Sequence, residues 1–139
     1  MSIKQASYLL HLQTRGKGLY EFTGQVAAWI RERGAANGLL TVLCQHTSAS
    51  LVIQENADPD SKADLEEFMQ RLVPFEKYFR HTCEGTDDMP SHIKSVLSEV
   101  TLSIPVIDGD LALGQWQSIY LWEHRDNPNQ RKVMVTVWE

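Results

Sequence analysis

The chain has 139 residues, enough for one domain with its own core, and a formal net charge of -5. Its 13 basic residues are scattered from Lys4 to Lys132 without a block, which argues against a nucleic-acid surface and against attraction to an anionic membrane. Two cysteines, Cys44 and Cys83, make no disulfide framework, and neither a signal-like start nor a membrane-length apolar run occurs, so a soluble cytoplasmic protein is expected.

Residues 7–14, SYLLHLQT, alternate loosely and read as a strand near a sheet edge. Arg15-Gly-Lys-Gly18 reads as a turn, because its lone GxG lacks the strand and helix that a phosphate loop needs. Phe22, Val26, Trp29 and Ile30 repeat at helical spacing and Gly34 supplies a stop, which predicts a helix over 23–33. Residues 38–46 are apolar almost to their end, the mark of a central strand covered on both faces, and this puts His46 at a strand mouth. The small residues 47–50 turn or bulge the chain into a strand over 51–55. Asp58-Pro59 then opens a helix whose stripe is Leu65, Phe68, Met69 and Leu72, ending before Pro74. Its acidic residues Asp64, Glu66 and Glu67 read as a solvated face.

Further along, Pro90 suits the first turn of a helix capped by Asp87 or Asp88, which places His92 in that first turn. Strands are predicted over 101–107, with Pro105 implying an edge or bulge, over 111–122, with Gly114 as a bulge, and over 132–138. Asp108-Gly-Asp110 is a hairpin signal, and 123–131 a polar loop. At least six strands and three helices in a single domain of residues 1–139 predict an α+β fold of antiparallel or mixed sheets, packed as a β-sandwich with peripheral helices.

The reactive side chains concentrate in residues 81–97, HTCEGTDDMPSHIKSVL, where His81 and His92 bracket Cys83, Glu84, Asp87 and Asp88. Of the five histidines, His11 and His124 have undistinguished settings, whereas His46, His81 and His92 each lie at an element terminus among small and acidic residues. Three neutral imidazoles from separate segments would give the three-ligand arrangement with one open position that suits catalytic zinc. Cys44 and Cys83 read as small packing residues. Ser48 and Ser50 lack the elbow of a serine hydrolase, and a histidine two positions away on a strand does not make a triad.

The segments HTSASLVIQENADPDSKADLEEF (46–68), HTCEGTDDMPSHIKS (81–95), SIPVIDGDLALGQWQSIYLWEHR (103–125) and RKVMVTV (131–137) resemble the YjbQ family, small proteins described as secondary thiamine-phosphate synthase enzymes and long labelled uncharacterised. The likeness runs from about residue 5 to the end. It implies a mixed β-sandwich with peripheral helices, assembled as a homotrimer with a histidine-rich metal site to which His46, His81 and His92 carry over by position. The implied reaction joins hydroxymethylpyrimidine diphosphate to a thiazole phosphate and releases diphosphate, so the partner is a phosphorylated small molecule. Arg125, with a divalent metal and Lys94, would then stabilise the leaving group, and Glu84 and Asp88 would carry protons or support the imidazoles. Three imidazoles suit zinc, while diphosphate departure more usually employs magnesium held by carboxylates, so both cations stay open. The rival readings are a zinc-dependent hydrolase or lyase of unknown substrate, and a trimeric metal- or ligand-binding protein without turnover.

Overall fold

The computed structural model describes residues 2–139. Strands β1 (Gln5–Gln13) and β2 (Gly18–Glu21) precede helix α1 (Thr23–Arg33), and β3 (Gly38–Cys44) and β4 (Ala49–Glu55) precede α2 (Pro59–Leu72) and α3 (Asp88–Leu97). The chain closes with β5 (Thr101–Ile107), β6 (Asp110–Leu111), β7 (Gln117–Glu123) and β8 (Gln130–Trp138). A five-stranded sheet runs in the order β1-β8-β3-β5-β6 and a three-stranded sheet in the order β2-β7-β4. Of the antiparallel and mixed arrangements open to the sequence, the pairing is antiparallel throughout these sheets. No helix among the described residues is long and apolar enough to cross a membrane.

The strand period of two sorts each sheet into an inner and an outer face. Leu40, Val42 and Cys44 of β3 and Val133, Val135 and Val137 of β8 meet Leu51 of β4 and Ile119 and Leu121 of β7, while Val26 and Ile30 of α1 join the same core. The other face of the three-stranded sheet buries Trp122 against Met69 of α2, with Val52 and Ile93 packed beside them. Helix α3 is thereby fixed over β4 with its first turn at one end of the sandwich.

Three expectations change. Strand β3 lies inside its sheet, yet Leu39 and Leu43 on its outer side are 41% exposed, so it is covered on one face because no layer lies outside the five-stranded sheet in the single chain. The run expected as one strand over 111–122 is broken: Gln117 Oε1 accepts the Gly114 amide at 2.7 Å and the Gln117 amide returns to the Gly114 carbonyl at 3.1 Å, a local turn that separates β6 from β7. Strand β2 was hidden behind the turn signal of residues 15–18. There Gly16 has φ 126° and a Cβ on it would lie 2.9 Å from the Asp126 carbonyl, so the turn is pressed against the loop after β7.

The two sheets are joined at this end by a buried ion pair. Glu123, at the end of β7, accepts Arg131 Nε at 2.8 Å and Thr14 Oγ1 at 2.7 Å on Oε1. Its Oε2 takes Arg131 Nη2 and the Arg125 amide, and Arg131 Nη2 reaches Ser48 Oγ at 3.1 Å. Both partners are buried, so removing one strands the other's charge away from water. We therefore expect Glu123→Leu to lower unfolding free energy by about 3–5 kcal/mol in urea titrations at neutral pH, and Glu123→Leu/Arg131→Met to recover most of it. A single-variant loss under about 1 kcal/mol would contradict this role.

Candidate functional site

The first residues of α3 and the loop before them form the most densely connected polar cluster. Asp87, immediately before the helix, makes no side-chain cap. Its carboxylate instead takes Arg125 Nε at 3.0 Å and the Asp126 amide at 2.9 Å. Burial works against this charged carboxylate, but the guanidinium and the amide outweigh it and hold the carboxyl below its usual range. The expected capping by Asp87 or Asp88 is thus replaced by bonds to the 123–131 loop, because Arg125 offers charged donors that a helix amide cannot match. Pro90 sits at the third helical position, where no intrahelical N–H is needed.

Asp88 is the first residue of α3 and only 1% exposed. Its Oδ2 lies 2.7 Å from His81 Nε2 and 3.2 Å from His92 Nε2, and its Oδ1 accepts Arg125 Nη1 at 2.8 Å. The helix start at Asp88 puts His92 at the opening of the second turn, not in the first, and this i,i+4 spacing is what stacks the imidazole over the carboxylate. His81 folds back from the loop so that its ring centre is 5.2 Å from that of His92. His92 Nδ1 donates to the Thr47 carbonyl at 2.8 Å, which leaves the Nε2 lone pair turned to Asp88. The donor atoms of His81, Asp88 and His92 all lie within 4.8 Å of one another, a spacing able to hold a metal ion.

His46 is not brought into this trio in the single chain. Its Nε2 accepts the Lys132 amide at 2.7 Å, so its proton is on Nδ1, and burial lowers its pKa below the ordinary value. His46 and His92 instead share a cleft of about 450 Å³ with Thr47, Ser95, Ser98 and Glu99. Arg125 joins the trio as a holder: besides Asp87 and Asp88, its Nη2 donates to the Glu84 carbonyl at 2.8 Å, and the exposed Glu84 carboxylate lies 3.7 Å from Nη1. Lys94 is buried and its ammonium goes to Gln70 Oε1 on α2 at 3.1 Å, an oxygen it shares with Lys17 at 3.3 Å, so it does not join Arg125. Cys44 is a buried packing thiol, its pKa pushed up to about 11 by burial, whereas Cys83 is exposed because its loop carries no apolar cover.

His124 is the residue the sequence reading passed over. It is completely buried, its Nε2 lies 2.8 Å from Ser50 Oγ, and its Nδ1 has no partner. Ser50 does meet a histidine, then, but with no carboxylate on the far nitrogen and no exposure it is not a nucleophile. The available signal was position: Glu123-His124-Arg125 follows the run Ile119-Tyr-Leu-Trp122 of a strand buried from Ser118 onward, where polar groups are buried only with dedicated partners.

A family model described as UPF0047 protein YjbQ-like matches residues 8–139. A UPF0047 protein of Synechocystis sp. is 47% identical over 137 residues, covering 98% of this chain and 93% of that relative. The UPF0047 protein YjbQ of Escherichia coli O157:H7 is 40% identical over 129 residues, covering 92% and 94%. Among solved structures, an uncharacterised YjbQ/UPF0047 protein of Clostridium acetobutylicum superposes with a TM-score of 0.83 at 33% identity over 95% of this chain and 98% of its own. A YbjQ-like protein of unknown function from Sulfolobus solfataricus reaches a TM-score of 0.89 at 20% identity over 99% of both chains, a likeness of fold.

The burial of His124 sets a pH dependence. Burial first, then the charges of Lys94 and Arg131, lower its pKa to about 3, against about 6.5 for an unfolded histidine. Between those values the unfolded chain binds a proton that the folded chain does not, so stability falls as pH drops below about 6.5. His124→Gln, which retains a donor toward Ser50, should flatten the slope of unfolding free energy between about pH 6.5 and 5, measured by urea titration. An unchanged slope would show that His124 does not carry it.

Proposed function

The chain belongs to the UPF0047 YjbQ-like family, and from that membership together with the trio at the start of α3 we propose that it is a metal-dependent enzyme whose divalent ion is held by His81, Asp88 and His92. The observation that carries this reading is the pair His92 Nε2 and Asp88 Oδ2. At 3.2 Å two lone pairs face one another, an arrangement stabilised by a shared cation or by a second proton on the ring. Two imidazoles and one carboxylate are a donor set that suits zinc and other first-row divalent ions better than magnesium. When bound, such an ion supplies Lewis acidity, polarising a substrate carbonyl or bringing the pKa of a water toward neutrality.

The chain's own residues have distinct tasks in this reading. Thr47 fixes the His92 tautomer through its carbonyl, and Arg125 holds Asp88 by the oxygen turned away from the histidines, so the other oxygen is oriented before any ligand arrives. Asp88 takes the third place that the resemblance assigns to His46, and His46 serves as a neutral donor within the cleft. Glu84, exposed at the rim beside Arg125, is the carboxylate able to exchange protons with solvent.

Hydrolysis or elimination on a small polar substrate is the reaction class best supported. Thiamine phosphate formation would need the metal alone to neutralise the departing diphosphate, because Arg125 is engaged by Asp87, Asp88 and Glu84 and Lys94 by Gln70.

Metal analysis of protein purified without added metal tests the centre. We expect near-stoichiometric zinc or another first-row ion, lost in His92→Ala and in Asp88→Ala and retained in His46→Ala. Full metal content in both of the first two variants would remove the trio as its holder. Turnover insensitive to a chelator, in assays of thiamine phosphate formation and of ester or amide hydrolysis, would remove the metal-dependent reading.

A further inference from the structure

The cleft beside His92 has its own chemical character. It lies between the second half of α3, the end of β3 and the start of β5, and Val96 and Val100 supply apolar wall. No lysine or arginine lines it. Glu99 is its one carboxylate and has no ion-pair partner among the described residues. The backbone around Glu99 is pinned from both sheets: its carbonyl accepts the Leu51 amide of β4, and the next carbonyl, of Val100, accepts the Cys44 amide of β3 at 2.8 Å.

Proton counting decides what the cleft's hydroxyls can read. Ser95 Oγ donates to the Ala49 carbonyl at 3.1 Å. Ser98 Oγ is 2.7 Å from the Lys94 carbonyl and 2.7 Å from Ser50 Oγ, which in turn is 2.8 Å from His124 Nε2. Each hydroxyl has one proton. With the imidazole proton on Nε2, the bonds run from His124 to Ser50, to Ser98, to the Lys94 carbonyl. With it on Nδ1, they run from Ser98 through Ser50 to His124. The first order also avoids burying an unpaired N–H at Nδ1. In both orders the Ser98 proton is committed to the protein, so its oxygen meets the cleft only as an acceptor. His46, Thr47 and Thr101 line the cleft as well and His46 Nδ1 carries a proton, so the ligand's charge is set by Glu99, an unpaired carboxylate on a wall without lysine or arginine, beside two serine oxygens that only accept.

We infer that this cleft binds a small organic cation, a protonated primary amine or an amidine, through Glu99 and the oxygens of Ser95 and Ser98. This deepens the metal-dependent reading and rests on it for the chemistry at His92: the substrate of that centre carries a cationic nitrogen. Charge-assisted N–H donors find three acceptors here, whereas a phosphate would meet the like charge of Glu99 and two serine hydroxyls whose protons are engaged elsewhere.

The test uses the full chain stripped of metal by a chelator, so that its outcome is independent of whether the trio holds an ion. Benzamidine and, separately, inorganic diphosphate are titrated while the methyl resonances of Val96 and Val100 are followed by NMR. Benzamidine should shift both saturably, binding about tenfold or more weakly to Glu99→Gln, more weakly to Ser98→Ala, and not measurably to Glu99→Lys. Diphosphate should leave the methyls of the unsubstituted chain unmoved. Absence of benzamidine binding, equal binding by Glu99→Gln, or diphosphate shifting the same methyls would each overturn the inference.

Discussion

Glu123 and Arg131 meet where the last residues of β7 and the first of β8 bring the two sheets together, and both are shut away from water. A carboxylate and a guanidinium so placed tolerate little freedom, since each is the other's replacement for solvent. Thr14 and Ser48 complete the arrangement from β1's end and from the turn before β4, so four separate segments are held at one point. The fifth contact matters most for chemistry. Glu123 also accepts the amide of Arg125, and this fixes the start of the loop from which Arg125 reaches Asp87 and Asp88. A rigid sandwich end therefore orients a helix start through one arginine.

Helix α3 serves two layers from opposite sides. Its carboxylate and imidazole, one turn apart, face the loop and the cleft, while Lys94 and Ile93 go to α2 and the three-stranded sheet. The carboxylate at the helix start is matched by the positive end of the helix dipole and by Arg125 Nη1. Ser95 on this helix and Ser98 at its C-cap turn their protons into the protein, so both meet the cleft as acceptors beside Glu99.

Elements whose pattern comes from burial alone were legible in the chain. The alternation of β5 and β8 and the stripe of α1 follow from which face meets the core, and periodicity reports that directly, whereas of the α2 stripe Met69 is buried and Leu65 half-buried while Phe68 and Leu72 are exposed. His81, Asp88 and His92 were legible as a cluster because one loop and one helix turn hold them. The division of labour among them was not, since it depends on Thr47 and Arg125, which arrive from the turn before β4 and the loop after β7. His46 was singled out for its place at a strand end, but which nitrogen is free depends on the Lys132 amide, a contact across 86 positions. His124 shows the limit most clearly: the run before it hints at burial, but its partner Ser50 comes from β4, and Ser91 of α3 packs onto its carbonyl. Strand β2 was lost because glycines mark both a turn and the backbone contact that the turn makes with the Asp126 carbonyl.

The strand order of the larger sheet has a further consequence for how the protein is made. Strand β8 lies inside that sheet, hydrogen-bonded to β1 on one side and to β3 on the other, with Gln5 opposite Trp138. Until β8 is available, β1 has no partner and β3 presents an open edge, so the earlier strands cannot assemble in the order of their synthesis. Closing such distant ends is entropically expensive and makes for slow folding. The same late event that completes the sheet also brings Arg131 to Glu123, so the buried ion pair and the loop it holds are assembled last.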